Sequence, residues 1–195
     1  MSWHRAALPL DPQRSRRDFG LTARLDRIKR AAPVAFGGAG ARHRRLGLGL
    51  AALVLVADQV SKWLIMDAVL GTPRAIEIAP FLNLVWVWNQ GVSFGMLGGG
   101  AVSPWLLSGL ALAVSVALAI WLGQAETRLL GTALGLVIGG AVGNVVDRVR
   151  FGAVFDFIDV HAAGYHWPAF NVADSAITVG VALLLVDSLR PRPAQ

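Results

Sequence analysis

The chain has 195 residues, of which 55% are hydrophobic and only 15% are charged, whereas charged residues make up about 25% of an average soluble domain. This composition excludes an ordinary soluble domain and indicates a membrane protein, and the length suits one domain rather than two. The chain has no cysteine, and its four histidines lack metal-ligand spacing. A disulfide framework, a thiol nucleophile, a metal and any other cofactor are therefore not expected.

Residues 1–45 carry most of the positive charge. They hold eleven Lys and Arg against three Asp, a net charge of +8 in a chain whose total is +6. They have no sustained apolar period and are predicted to form a basic, disordered extension. No folded basic module follows, so nucleic acid is not an expected partner. The positive-inside rule places the extension in the cytoplasm, near anionic lipid.

Four apolar runs predict four transmembrane helices, so the fold class is a mainly α membrane protein. Their approximate ranges are 46–66, 102–122, 129–146 and 170–189. Asp174 and Asp187 interrupt the last run, which gives the weakest signal. In the third run, glycines recur at positions 131, 135, 139 and 143. This spacing puts them on one helix face and predicts close approach of a neighbouring helix.

The segment 71–99 differs from the apolar runs on either side of it. Pro73 and Pro80 break any helix. The Val- and Trp-rich stretch 81–91 predicts a strand or hairpin arm at the membrane surface.

Residues 147–170 connect the third and fourth runs and are interpreted as an irregular polar stretch. Asp156 lies there on an extended segment between apolar neighbours. Asp159 is the acid of this stretch that is expected to face solvent.

Four spans and a basic extension place both termini in the cytoplasm. Most costly polar residues then share one depth near the outer leaflet, namely Asp58, Lys62, Asn144, Asp147, Arg148, Asn171 and Asp174. Asn89 and Asp156 lie in the two outer connections. Ionisable residues at membrane depth face protein or water and usually mark function.

Several of these residues also have a structural interpretation. Asp58 and Lys62 are spaced i, i+4 with the acid first, which favours a helix ion pair that acts as a brace. Asp147, next to an arginine at a helix end, is interpreted as another brace. Asn171 followed by Asp174 resembles a cap at a helix start, and this interpretation competes with catalysis.

A search for nucleophiles excludes two common arrangements. The segment 91–95 matches G-x-S-x-G, but no alternating α/β pattern surrounds it. Ser61 and Lys62 are adjacent in a predicted helix and point in different directions. A carboxylate pair acting on water remains. A small proton-coupled transporter and a structural scaffold held by polar helix contacts are alternative functions.

Five short motifs resemble those of the lipoprotein signal peptidases (signal peptidase II), in that family's order. They are Asp58-Gln59-x-x-Lys62, Asn89-Gln90-Gly91-x-x-Phe94, Gly143-Asn144-x-x-Asp147-Arg148, Val154-x-Asp156-Phe157 and Phe170-Asn171-x-Ala173-Asp174-Ser175. The resemblance covers about residues 46–189, and only the extension departs from it, being longer than the family usually needs.

The resemblance implies four transmembrane helices with a small periplasmic β-cradle from residues 71–99, between helices 1 and 2. It implies an aspartic endopeptidase with Asp156 and Asp174 as the catalytic pair and without a metal. The residues that would line or brace the site are Asn89, Gly91, Asn144, Arg148, Asn171, Asp58, Lys62 and Asp147. The implied substrates are prolipoproteins whose future N-terminal cysteine carries diacylglycerol, with cleavage just before that cysteine.

Residues 46–190 are expected to form this peptidase domain in the bacterial inner membrane, with 191–195 as a cytoplasmic tail. The protein is expected to be monomeric and in contact with phospholipid. Asp174, near a helix N-terminus, is predicted to be the ionised base. Asp156, among apolar neighbours, is predicted to hold the proton of the pair. The reverse assignment stays open.

Overall fold

The structure, a computed structural model, describes residues 39–69, 75–91 and 103–190. The predictions for residues 1–38 and for the tail at 191–195 lie outside these ranges.

Four helices make up most of the described chain. They are α1 (Ala39–Val69), α2 (Pro104–Leu122), α3 (Arg128–Phe151) and α4 (Val172–Ser188). Helices α1, α2 and α3 are long and apolar enough to cross a membrane. Helix α4 is shorter, with 17 residues, or about 25 Å at 1.5 Å per residue, and the fourth predicted span stays a prediction. Helix α1 begins before the predicted run, so residues 39–45 are helical rather than part of the extension.

Capping residues fix the ends of the helices. The side chains of Ser103 and Thr127 accept hydrogen bonds from the backbone N–H groups of Trp105 and Leu130, at the starts of α2 and α3. Helix α3 ends at Phe151 and is capped by Gly152, whose φ of 75° is left-handed and favours glycine at this position. This ending lies five residues beyond the predicted one and turns the chain into the next strand.

The glycine ladder allows a neighbouring helix to approach closely, as predicted, and that helix is α1. A Cβ atom at Gly131 would lie 2.8 Å from the carbonyl oxygen of His43, and one at Gly139 would lie 2.6 Å from that of Ala51. On another face of α3, Gly140 contacts the backbone of α4 in the same way. Helix α3 therefore lies at the centre and packs against each of the other three helices.

Gly143 is the last residue of this ladder, and it lies against the candidate site. A Cβ atom there would lie 2.7 Å from Asp58 Oδ2. We expect Gly143→Ala to lower the free energy of unfolding by about 1–3 kcal/mol, because the buried carboxylate must move. Thermal unfolding in detergent measures this change. Gly49→Ala is the matched control, since no atom lies within 4 Å of a Cβ at that position. Equal destabilisation by both substitutions would contradict the argument.

Within the described ranges, four strands form one antiparallel sheet in the order β1-β2-β3-β4. They are β1 (Ile76–Ala79), β2 (Leu82–Asn89), β3 (Val154–Ala162) and β4 (Tyr165–His166). The β1–β2 hairpin agrees with the strands predicted within 71–99. The prediction of a β-cradle only between helices 1 and 2 was incomplete, because β3 and β4 come from the connection between α3 and α4. That connection is therefore not an irregular stretch.

An aromatic cluster fastens the sheet to the end of α3. Phe155 of β3 is fully buried. Its ring centroid lies 5.1 Å from that of Trp86 and 5.5 Å from that of Trp88. Trp88 also contacts Phe151 of α3, at 5.3 Å between centroids. Such aromatic contacts add to the stability gained from burial, and they hold β2 and β3 at this end of the helices.

Asp159 was predicted to face solvent, and this prediction was wrong. The residue is buried in the sheet. Its carboxylate accepts a hydrogen bond from Asn83 Nδ2 at 3.0 Å and lies 2.9 Å from His166 Nδ1. Burial would raise its pKa, but the contacts with Asn83 and His166 outweigh burial and hold the pKa below its usual value. Cross-strand partners explain why this acid can be buried.

Candidate active site

The ten residues predicted for the site come from all the elements that meet where the sheet joins the helices. They are Asp58 and Lys62 of α1, Asn89 and Gly91 at the end of β2, Asn144, Asp147 and Arg148 of α3, Asp156 of β3, and Asn171 and Asp174 at the start of α4. The structure brings all ten into one connected network of hydrogen bonds and ion pairs.

Asp156 and Asp174 are joined through Asn171. The Asn171 amide Nδ2 donates to Asp156 Oδ1 at 2.7 Å, and its backbone N–H donates to Asp174 Oδ2 at 3.3 Å. The Asp174 backbone N–H in turn donates to Asn171 Oδ1 at 2.9 Å, which completes a capping box. The predicted helix cap is therefore present. The capping residue also holds the two carboxylates together. A helix cap and a catalytic site at these residues therefore do not exclude each other.

Two further amides bind the remaining carboxylate oxygens. Asn89 Nδ2 donates to Asp156 Oδ2 at 3.0 Å, and Asn144 Nδ2 donates to Asp174 Oδ1 at 2.9 Å. Each of the four oxygens thus accepts a hydrogen bond from a nitrogen. Because these donors come from different elements, the orientation of both carboxylates depends on the packing of the sheet against α3 and α4.

Asp156 has a strongly altered acidity. It is only 1% exposed. Burial and the negative charge of Asp174 raise the pKa of Asp156 to about 7, although hydrogen bonds from Asn89 and Asn171 act to lower it. A carboxyl group with this pKa is protonated in a large share of the molecules at neutral pH. Asp156 can therefore donate a proton where an ordinary aspartate could not.

Lys62 neutralises two buried carboxylates beside this pair. Its Nζ atom lies 2.8 Å from Asp58 Oδ2 and 2.7 Å from Asp147 Oδ2, and it donates to Asn144 Oδ1 at 3.3 Å. The i, i+4 ion pair predicted for Asp58 and Lys62 is present. Asp147 is also a brace, but its cation is Lys62 of α1 rather than its neighbour Arg148. We call Asp58, Lys62 and Asp147 the brace.

The brace positions the backbone next to each member of the carboxylate pair. Asp58 Oδ1 accepts from the backbone N–H of Ala173 at 3.0 Å, and Asp147 Oδ2 accepts from that of Phe155 at 3.1 Å. Ala173 directly precedes Asp174, and Phe155 directly precedes Asp156. Each acid of the brace therefore fixes one of the two candidate catalytic residues through the main chain.

Arg148 ties the end of β2 to α3. Its Nη2 donates to the Gly91 carbonyl oxygen at 2.7 Å, and Nη1 donates to the Asn144 carbonyl oxygen at 3.5 Å. The Gly91 backbone N–H donates to Asn89 Oδ1 at 3.0 Å, so the turn that carries Asn89 is held from both sides. The guanidinium also attracts Asp156 and Asp174 by its charge.

Gln59 belongs to the site although no role was predicted for it. Its Nε2 atom lies within donating distance of Asp147 Oδ1 at 2.9 Å, Asp58 Oδ2 at 3.1 Å and the Gly143 carbonyl oxygen at 3.3 Å. The first motif contains this residue, but its contacts depend on how α3 approaches α1. No local pattern in the sequence indicates that approach for this side chain.

An apolar groove opens beside Asp174. It is a cavity of about 260 Å³ lined by Trp167, Phe170, Asp174, Ser175, Thr178 and Val179. Most of its lining is hydrocarbon, with the carboxylate at one side. Such a groove suits an apolar ligand whose reacting bond lies next to Asp174.

The fold and the site together define a class of protein, a membrane enzyme with a carboxylate pair suited to acid–base hydrolysis. Apolar helices and a sheet enclose two acids, and unequal environments can divide the roles of base and acid between such groups. The family model described as signal peptidase (SPase) II matches residues 50–190. The chain therefore belongs to the signal peptidase II family.

Individual relatives and solved structures agree with this membership. The chain is 48% identical over 149 residues to a lipoprotein signal peptidase of Methylorubrum extorquens (strain PA1), covering 74% of this chain and 87% of the relative. It is 45% identical over 156 residues to one of Rhodopseudomonas palustris, covering 77% and 95%. It is similar to a bacterial membrane enzyme solved by the in meso method at 2.3 Å resolution, with a TM-score of 0.64, 29% identity, and coverage of 76% of this chain and 94% of that one.

Family membership establishes the general function. The protein is a bacterial membrane protease that removes signal peptides from prolipoproteins. This finding favours the peptidase over the transporter and the scaffold considered from the sequence.

Proposed function

We propose that Asp156 and Asp174 are the catalytic pair, and that the enzyme cuts diacylglyceryl-modified prolipoproteins just before the lipidated cysteine. The observation that carries this proposal is the shared contact with Asn171, which joins an acid with a pKa of about 7 to an acid at a helix N-terminus. The other eight residues of the network position the pair, and no cofactor takes part.

In the proposed reaction Asp174 is the base and Asp156 is the acid. Asp174, whose negative charge the N-terminus of α4 favours, takes a proton from water as the water oxygen attacks the scissile carbonyl carbon. Protonated Asp156 donates a hydrogen bond to the carbonyl oxygen as negative charge develops there. When the C–N bond breaks, the leaving amine takes the proton held by Asp174. The products are the free signal peptide and the lipidated cysteine with a new amino group.

The proposed topology has four spans, with both termini in the cytoplasm and the sheet at the periplasmic face. Helix α4 would be the fourth span, since its 17 residues reach the lower limit of the length that crosses the hydrocarbon core. Its N-terminus would then lie at the outer face with Asp174. The proposed monomer needs no residue from a second copy, since the described residues alone complete the hydrogen bonds of both carboxylates.

The apolar groove supports the choice of substrate. A signal peptide that spans the membrane presents its cleavage site at the outer face, and a diacylglyceryl group keeps the cysteine in the outer leaflet. Both features raise the concentration of the scissile bond near the site. The hydrocarbon walls formed by Trp167, Phe170 and Val179 can contact lipid or apolar side chains beside Asp174.

The direct test is cleavage of two matched prolipoproteins by the purified protein. One carries diacylglycerol on the cysteine and the other is unmodified. We expect cleavage of the modified precursor before the cysteine, with a much lower kcat/KM for the unmodified one. Equal cleavage of both would contradict the proposed role of the lipid. Cleavage at another bond would contradict the proposed position of the substrate.

The pH dependence tests the role of Asp156. If its protonated form is active, kcat/KM falls above about pH 7, the pKa of this group. The hydrogen bond from Asn89 lowers that pKa, so Asn89→Ala should raise it and move the alkaline limb to higher pH. Asn83→Ala, which removes the equivalent amide from Asp159, should leave the limb in place. A limb that stays fixed or moves to lower pH in Asn89→Ala would contradict the assignment.

A further inference from the structure

A second cavity lies next to the brace, where Lys62 and Asp147 line it. It measures about 310 Å³, and its described lining residues include neither Asp156 nor Asp174. Gln59, Lys62 and Asp147 form one part of the wall, and aromatic side chains, among them Trp63 and Phe155, form another. Its volume is near the lower limit for ligand pockets, about 300–1,000 Å³, so it suits a small polar group rather than a whole lipid.

The cavity has one cation and one anion that the brace does not use. Lys62 already pairs with two carboxylates. Arg150 and Asp67 also line the cavity, and both are exposed. Among the described residues neither forms an ion pair. The Arg150 guanidinium lies 4.9 Å from the centroid of the Phe151 ring, which restrains it at the cavity. The available charges are therefore complementary to a zwitterion.

The position of the cavity corresponds to the membrane–water interface. Asp67 lies in the last turn of α1 and Arg150 in the last turn of α3, beside the sheet. Trp63 and Trp86 line the same cavity, and both are exposed. Tryptophan is enriched at the level of lipid headgroups. The charged pair therefore lies where a phospholipid headgroup would be found.

An apolar stripe leads from the cavity along α1. Leu53, Val56, Val60 and Trp63 recur at intervals of three and four residues, and all are exposed. Residues with this spacing lie on one face of a helix. The stripe runs from the cavity towards the middle of the helix, which is the direction that acyl chains take below a headgroup.

We propose that this cavity binds a zwitterionic phospholipid with a primary amine, of the phosphatidylethanolamine class. The phosphate binds the Arg150 guanidinium, the ammonium group donates to the Asp67 carboxylate, and the acyl chains lie along the stripe. The bound headgroup covers Gln59 and two residues of the brace, Lys62 and Asp147. The site is separate from the groove beside Asp174 and does not depend on the proposed reaction.

Native mass spectrometry of the full-length protein in detergent tests this proposal. The protein is titrated with phosphatidylethanolamine, phosphatidylcholine and phosphatidylglycerol of identical acyl chains. We expect phosphatidylethanolamine to bind about tenfold more tightly than phosphatidylcholine, the difference made by a charge-assisted hydrogen bond. Asp67→Asn should remove that preference. Arg150→Gln should weaken binding of both zwitterionic lipids by about tenfold, since both carry the phosphate.

Two matched variants control for a general effect of charge. Glu77→Gln removes an exposed acid of β1, and Arg128→Gln removes an exposed cation at the opposite end of α3. Neither should change lipid binding. Equal binding of phosphatidylethanolamine and phosphatidylcholine by the unmodified protein would overturn the proposal. Tighter binding of phosphatidylglycerol, lost in Arg150→Gln, would overturn it in favour of an anionic lipid. Unchanged thermal unfolding of the four variants would show that the comparison concerns folded protein.

Discussion

Asp156→Asn and Asp174→Asn are each expected to reduce the turnover number for prolipoprotein cleavage by about 10²–10⁴-fold or more, the usual contribution of a positioned acid or base. Neither change should cause a comparably large loss in the free energy of unfolding. An amide at position 156 or 174 carries no charge, so the burial of Asp156 beside a second carboxylate no longer opposes folding. The same amide replaces one acceptor oxygen by an NH2 donor that faces another N–H donor, which offsets this gain. We therefore expect unfolding temperatures in detergent close to that of the unmodified protein, so that activity falls far more than stability.

Asp159→Asn is the matched control for this pair of variants. It lies on the same strand as Asp156, is buried, and also accepts a hydrogen bond from an asparagine. We expect turnover within a few-fold of the unmodified enzyme, with some loss of stability because the contact with His166 weakens. If this variant lost as much turnover as Asp156→Asn, the sheet as a whole rather than the pair would be required. If the amides at 156 and 174 instead prevented folding without affecting turnover, the scaffold interpretation would regain support.

Lys62→Met is expected to lower the free energy of unfolding by about 3–5 kcal/mol, the usual cost of removing one partner from a buried ion pair. The lysine is 3% exposed and lies between Asp58 and Asp147. Without its ammonium group, two buried carboxylates lose their counter-charge. Thermal and denaturant unfolding in detergent measure the change. Turnover should fall as well, because the brace holds the backbone before both Asp156 and Asp174.

The triple variant Asp58→Asn, Lys62→Met, Asp147→Asn separates the effect of unpaired charge from that of hydrogen-bond geometry. It removes all three charges of the brace together, so we expect it to be more stable than Lys62→Met alone. Replacing a complete buried ion group by neutral residues is often tolerated, whereas breaking it is not. Arg128→Gln, an exposed cation at the other end of α3, should change stability by less than about 0.5 kcal/mol. A triple variant as unstable as Lys62→Met would show that hydrogen-bond geometry, rather than unpaired charge, determines the loss.

Features determined within one or two helical turns could be predicted from the sequence. The Asp58–Lys62 ion pair follows from i, i+4 spacing, and the capping box of Asn171 and Asp174 follows from a three-residue spacing. The glycine ladder on α3 follows from a four-residue period, although its partner helix does not. In each case the residues that form the pattern are close in sequence, so local geometry is sufficient.

Features that depend on distant segments could not be predicted in the same way. Strand β3 contains Asp156 and Asp159, whose charges interrupt the apolar pattern of a buried strand. Both acids are buried because β2 supplies Asn83 opposite Asp159 and Asn89 two residues beyond the position opposite Asp156. These partners lie about 70 positions earlier in the chain. The pairing of Asp147 with Lys62 likewise depends on the approach of α3 to α1. Resemblance to a family named ten residues of the candidate site, but not the role of Gln59 and not which residues contact each other.

The attachment of the brace to the main chain affects which parts of the enzyme can change without moving the two carboxylates. One ammonium group binds two carboxylates, and these bind the peptide nitrogens before Asp156 and Asp174. A strand and a helix thus share a common anchor, so displacements of the two proposed catalytic carboxylates should be correlated. The groove beside Asp174 shares no side chain with the anchor. Its wall can therefore vary in sequence while the spacing of the two carboxylates stays constant.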